Sequence, residues 1–211
     1  MKLFLLGFGL VSAKTECNGS KYSPLGCFTD DPPFSVPGYR PGKLSPKTVQ
    51  RPLRDRAYQL ALISARMPSA ISTVNPIFKL SNSRYTDTNV NWQSPNTSRF
   101  NRGEKIVILT HGWTEEWDDR SWINDGRDAF KGKNVNFIGI DWSGGSQNID
   151  YVQSAADTQI VGRAVAYMFN ELKKAGWSDS QFECVGHSLG GQACGYAGSY
   201  AKSAFRISVG K

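Results

Sequence analysis

The sequence predicts an α/β fold built on a mostly parallel sheet. Three observations carry the prediction. Ile106-Val107-Ile108-Leu109 and the stretch Asn136 to Ile140 are continuous apolar runs rich in β-branched residues, the mark of strands buried on both faces. Ile160, Ala164, Val165, Met168, Phe169 and Leu172 then recur at helical spacing before a third apolar run, Phe182 to Val185. Strand, helix, strand in that order implies right-handed crossovers and parallel pairing, with ligands held beyond the carboxyl ends of the strands.

The elements before this core are less regular. Lys2, the apolar run Leu3 to Val11 and the small residues Val11-Ser12-Ala13 read as a secretory signal over residues 1–13, too short to span a bilayer. One domain is expected over residues 14–211. Cys17 to about Gln50 is rich in Pro, Gly and Ser and reads as an irregular arm. Leu53 to Ile71 has helix-like spacing broken by Pro68, Pro76 to Ser81 is a short strand, and Asn82 to Arg102 a hairpin or loop. Gly176 fits the stop of the long helix. Ser188 to Ala201 is a small-residue helix, and Phe205 to Val209 begins a fourth strand that would present an exposed apolar edge.

Composition narrows the function classes. With 211 residues, 39% hydrophobic and 12% aromatic, the chain builds a core, which excludes disordered and collagen-like proteins. The net charge of +7 comes without any dense basic run, so it reads as a solvated surface rather than a site for anionic lipid or sulfated glycan, and no nucleic-acid partner is expected. Asn18 and Asn96 head N-x-Ser/Thr sequons, in keeping with export. Cys17 and Cys27 flank a short loop, as a small disulfide would in an oxidising compartment. Cys184 and Cys194 lie in apolar contexts and read as buried free thiols. No C-x-x-C or Cys/His cluster exists to hold zinc.

The chemistry concentrates at Gly186-His187-Ser188-Leu189-Gly190, a G-x-S-x-G sequence that follows a strand and opens a helix. The turn is too sharp for side chains at its flanks, hence the glycines, and it lifts the Ser188 hydroxyl above the sheet. The helix start aims N–H groups, that of Leu189 first, at a developing oxyanion.

These residues resemble the animal pancreatic-lipase family of secreted lipases. The matching stretches are Leu25-Gly26-Cys27-Phe28 with Asp30-Asp31, Leu109-Thr110-His111-Gly112-Trp113, Ile140-Asp141-Trp142 before Gly144-Gly145-Ser146, Ile160-Val161-Gly162, and Gly186 to Gly191. The stretch from about Pro41 to Ile71 departs from the family pattern. The resemblance implies an α/β-hydrolase with helices on both faces, acting on lipid esters at a lipid–water interface through a Ser188 acyl-enzyme. It implies oxyanion donors at the backbone N–H groups of Trp113 and Leu189, and a Cys17–Cys27 disulfide. His111 would support the oxyanion loop, Asp141 would end its strand, and His187 would pack away from substrate.

One departure decides the activity expected of these residues. Triad order in this fold is Ser, then Asp or Glu, then His, yet no Asp, Glu or His follows Ser188. Arg206-Ile207-Ser208 matches the run preceding the family's acid, and Lys211 stands about where the acid is due. The catalytic His, the lid and the calcium loop would all lie beyond Lys211, so no cofactor is expected within the chain. Loss of the base costs on the order of 10⁶ in turnover, near 8 kcal/mol of barrier. An oxyanion hole alone leaves about 10³–10⁴ over water. The expectation is therefore the N-terminal part of a lipase domain, truncated on its C-terminal side and not an efficient enzyme alone. The alternative is a non-catalytic secreted lipid- or glycan-binding protein of the yolk-protein type, against which the retained Ser188 and its glycines argue.

Overall fold

The structure, a computed structural model, describes residues 15–16, 19–29 and 67–209. The expected signal segment, Cys17, Asn18, most of the arm and Lys211 lie outside the described residues. So does the expected helix up to residue 66. A small ribbon pairs β1 (Thr15–Glu16) with β2 (Phe28–Thr29) around α1 (Gly19–Tyr22). The main body runs α2 (Ile71–Val74), β3 (Ile77–Ser81), β4 (Thr88–Val90), β5 (Lys105–Thr110), α3 (Trp122–Phe130), β6 (Val135–Asp141), α4 (Ser143–Ser146), α5 (Tyr151–Lys174), β7 (Phe182–Gly186) and α6 (Leu189–Phe205).

The main sheet has five strands in the order β4-β3-β6-β5-β7. Its centre is parallel: Ile108 of β5 lies opposite Ile138 of β6 and Cys184 of β7. The other side is not. β3 runs antiparallel to both β4 and β6, so the sheet is mixed where a mostly parallel one was expected. β3 and β4 are two arms of a hairpin, and the β3 arm docks on β6 in the opposite direction. The expected loop or hairpin at Asn82 to Arg102 supplies the second arm.

Alternation along the strands sorts side chains into two layers. Ile106, Ile108, Ile138 and Ile140 join the core that holds α5 and α6. Leu109 and Phe137 point the other way, onto Trp117 and Ile123 of the α3 layer. Gly139 makes room there, since a Cβ on it would lie 2.3 Å from the Trp117 ring. Asp150 caps α5, its Oδ1 accepting from the Val152 N–H at 3.0 Å. Gly176, at φ 108°, follows the end of α5. The N-terminal ribbon is tied to α5 by Arg163, whose guanidinium donates to the Leu25 carbonyl at 3.0 Å and lies 3.7 Å from the Phe28 ring centroid.

Phe205 to Val209 does not form the expected strand. α6 continues to Phe205, and Arg206 in a left-handed conformation (φ 53°) ends it. The Ile207 N–H then returns to the Ala201 carbonyl at 3.1 Å, and Ile207 is buried in the core. A left-handed residue closing the last turn turns the chain back onto its own helix, which removes the extended backbone a strand needs. The free sheet edge on this side is β7, with Val185 exposed.

The reading of Cys184 and Cys194 as free thiols is also corrected. They form a disulfide, with their Cα atoms 5.6 Å apart. The sharp turn between β7 and α6 folds the helix back against the strand it leaves, bringing the two together. Closing a loop of this length is worth about 2–3 kcal/mol in the chain-entropy picture. The double variant Cys184→Ala/Cys194→Ala is expected to lose about that much in urea unfolding. Cys27 is disulfide-bonded as well.

Asp157, buried on α5, accepts from the Ser69 N–H at 2.6 Å, the Ser69 hydroxyl at 3.0 Å and the Gln153 amide at 3.0 Å. Burial pushes its carboxyl above the ordinary Asp range, and these hydrogen bonds only partly oppose the rise. A pKa raised on folding means the folded state binds more protons, so this group's contribution to stability falls as pH rises from the unfolded carboxylate range through the folded pKa. Asp157→Asn keeps an acceptor for Ser69 and Gln153 and removes the buried charge. It is expected to melt at or above the parent temperature at pH 7. Asp157→Ala, which leaves the Ser69 N–H unsatisfied, is expected to cost about 1–3 kcal/mol.

Candidate active site

Thr110 of β5 lies opposite Ile140 of β6 and Gly186 of β7, so the three turns leaving these parallel strands converge. The turn after β7 holds Ser188 at φ 51° and ψ −117°, a conformation that costs an L-residue about 1–3 kcal/mol. Surrounding contacts impose it. The Gly190 N–H donates to the His187 carbonyl at 2.7 Å, the Gly191 N–H to Ser188 at 3.0 Å, and the His187 N–H to Thr110 at 3.1 Å. A Cβ on Gly190 would stand 2.5 Å from the Thr110 carbonyl oxygen. The expected glycines therefore serve close backbone approach. Ser188 itself is exposed.

Two N–H groups are left open beside it. Among the described residues neither the Leu189 N–H, at the first position of α6, nor the Trp113 N–H has a hydrogen-bond acceptor. The Gly112–Trp113 turn abuts the serine turn directly, since a Cβ on Gly112 would lie 2.9 Å from the Ser188 Cβ. The Trp113 indole is fixed from the β6 side by its N–H to the Asn148 carbonyl at 2.9 Å, and it meets Tyr151 edge to face at 5.1 Å. Thr114, left-handed at φ 61°, donates its N–H to the Ser146 carbonyl at 2.9 Å.

His111 is fully buried beneath this turn. Its ring stacks on Trp142 at 5.5 Å, its Nδ1 contacts the Gly112 carbonyl at 3.1 Å, and its Nε2 faces both Asp141 at 3.2 Å and the Trp142 N–H at 3.1 Å. Because a carbonyl only accepts, Nδ1 is the donor in the Gly112 contact. Burial works to raise the Asp141 carboxyl, but the close approach of His111 and the hydrogen bond from the Ser143 N–H outweigh it and hold the group below the ordinary Asp range.

His187, expected to pack away from substrate, is exposed to solvent. Its Nδ1 lies 3.1 Å from Glu115 Oε2, and its ring meets Trp122 edge to face. The same Glu115 oxygen accepts from the Gly112 N–H at 2.6 Å. Glu115 escaped the sequence reading. Its only signal was a place in the acidic stretch that directly follows His111-Gly112-Trp113. Among the described residues no side chain hydrogen-bonds the Ser188 hydroxyl, and no three of His, Cys, Asp and Glu converge on one point. Asn96 is exposed and accepts from the Ser98 hydroxyl of its own sequon at 2.8 Å.

A family model described as Lipase matches residues 23–209. The chain is 32% identical over 199 residues to human pancreatic triacylglycerol lipase, covering 90% of this chain and 36% of that protein. It is 30% identical over 209 residues to the dog inactive pancreatic lipase-related protein 1, covering 97% of this chain and 39% of that protein. Against guinea-pig pancreatic lipase-related protein 2 it is 30% identical over 188 residues, covering 84% and 37%. The chain thus spans little more than a third of the length of these relatives. A match across nearly the whole chain, on a fold that assembles the serine turn, shows that the chain belongs to the Lipase family.

Proposed function

We propose that this chain carries the nucleophile half of a secreted α/β-hydrolase that cleaves carboxylic esters of lipids. Ser188 attacks the ester carbonyl, and the negative charge arising on the carbonyl oxygen is met by the N–H groups of Trp113 and Leu189. Collapse of the tetrahedral species expels the alcohol and leaves an acyl group on Ser188, which water then removes. The observation that carries this reading is the pair of unpaired N–H groups on either side of a serine held in a strained, exposed turn. The proton leaving Ser188 needs a base oriented by an acid, and among the described residues no side chain hydrogen-bonds the Ser188 hydroxyl. Without them the chain retains only oxyanion stabilisation, about 10³–10⁴ over water.

Export is supported by the leader-like pattern at residues 1–13, by the exposed Asn96 as a glycan acceptor alongside Asn18, and by the Cys184–Cys194 bond, which suits an oxidising compartment. No helix among the described residues is long and apolar enough to cross a membrane. The Trp113–Tyr151 ring pair offers an apolar wall to an acyl chain.

Hydrolysis of p-nitrophenyl butyrate tests the proposal. The chain is expected to release p-nitrophenol slowly but above buffer, with a butyryl group trapped on Ser188 by mass spectrometry and absent from Ser188→Ala at an unchanged melt. No butyryl adduct on Ser188 would leave the non-catalytic binder as the better account. The inactive relative in the dog shows that the family contains members named for lost activity.

A further inference from the structure

We infer that Glu115 is a positioning residue for the oxyanion site, its carboxylate tying the turn that carries Trp113 to the turn that carries Ser188. The inference rests on the reading of Ser188 as nucleophile. One oxygen, Oε2, accepts from the Gly112 N–H at 2.6 Å and faces His187 Nδ1 at 3.1 Å. Gly112 immediately precedes Trp113, and His187 immediately precedes Ser188. A single atom therefore fixes both neighbours of the reacting groups. Because a carboxylate oxygen only accepts, His187 donates through Nδ1 and its Nε2 is left for solvent.

The rest of the turn is arranged so that this contact sets the spacing. The Glu115 backbone is held by the Ser146 hydroxyl, which donates to its carbonyl at 2.6 Å, and by the left-handed Thr114 before it. The stem of the residue is thus fixed and its carboxylate is the adjustable end. Gly112 carries no side chain that would wedge the two turns apart, since a Cβ there would meet Ser188 at 2.9 Å and the His187 carbonyl at 3.0 Å. Without Glu115, one backbone link spans the gap between the two turns, the His187 N–H to the Thr110 carbonyl. Burial tends to raise the Glu115 carboxyl, but hydrogen bonds from the Gly112 N–H and His187 outweigh it and keep the group below the ordinary Glu range. The buried Trp122 indole N–H adds a weaker pull while falling short of a hydrogen bond. The carboxylate is therefore present as the acceptor at neutral pH.

The test compares the 211-residue chain with Glu115→Ala and Glu115→Gln. The rate of Ser188 labelling by a fluorophosphonate is read beside backbone hydrogen exchange in peptides covering residues 111–114 and 187–190. Glu115→Ala is expected to slow labelling at least tenfold and to speed exchange in both peptides, with other peptides unchanged. Glu115→Gln, which keeps an acceptor oxygen at the same reach, is expected to label within threefold of the parent. Parent-rate labelling in Glu115→Ala, or tenfold slowing in Glu115→Gln, would overturn the inference. If Glu115→Ala fails to fold, the glutamine variant decides by the same limits. If the parent chain shows no labelling of Ser188, the serine reading falls, and exchange alone decides the tie: unchanged exchange at both turns in Glu115→Ala ends it.

Discussion

Gly186→Ala is expected to yield no cooperatively folded chain. The added Cβ would lie 2.0 Å from the Gly190 carbonyl carbon, 2.1 Å from its oxygen and 2.3 Å from the Gly191 nitrogen. All three are backbone atoms in the first turn of α6, so no side chain can swing aside. Relief requires moving the helix start off the strand, which breaks the Ser188 turn and strains the Cys184–Cys194 bridge together. A domain of ordinary stability has about 5–15 kcal/mol to lose, and a backbone overlap this deep exceeds the usual 1–3 kcal/mol of an overpacked side chain. Gly191→Ala is the matched control, because its Cβ would meet the Gly186 carbonyl at an ordinary 3.4 Å. Circular dichroism melts and soluble yield separate the two. A cooperative melt of Gly186→Ala within a few degrees of the parent would show that the turn is not built as described.

Gly162→Ala is expected to cost about 3–4 kcal/mol by forcing α5 from α6. Its Cβ would stand 2.5 Å from the Ala193 carbonyl oxygen, 2.6 Å from the Tyr196 Cβ and 2.9 Å from the Ala197 nitrogen. Ala193, Ala197 and Ala201 form the buried small-residue seam of α6 against which Gly162 sits. The helices touch backbone to backbone there, so a single methyl separates them along their length and opens voids around the Ile160 and Val165 side chains. For a chain of this size that corresponds to roughly 6–16 °C in Tm. A shift under 3 °C would mean the helices slide apart at little cost. The effect reaches the site as well, since α6 supplies Leu189.

Much of this arrangement was legible in the sequence. Strands β5 and β6 were readable because residues such as Ile106 to Leu109 are apolar without alternation, which only a strand covered on both faces tolerates. The serine turn was readable because its glycines answer a steric demand local to a few residues. Other features depend on distance through space. Antiparallel β3 is a matter of pairing partners, and the short run before the hairpin carries no record of them. Phe205 and Ile207 are apolar enough for a strand, yet the left-handed Arg206 between them is a backbone choice that its side chain does not announce. Cys184 and Cys194 look like buried thiols until the turn brings their Cα atoms within 5.6 Å. Glu115 reads as one more surface acid, and its meaning comes from two backbone turns meeting at its carboxylate. His187 shows the same limit. Its position beside the serine was plain, whereas its exposure follows from the side on which Glu115 stands.

The proposed function makes Ser188 the one nucleophilic hydroxyl among the described residues, served by the N–H groups of Trp113 and Leu189. Peptide mapping by mass spectrometry after prolonged reaction with a fluorophosphonate tests it most directly. A single adduct on the peptide holding Ser188, absent from urea-unfolded chain and from Ser188→Ala, is the predicted result. An unmodified Ser188, or adducts spread over other serines and tyrosines at equal rates, would contradict it.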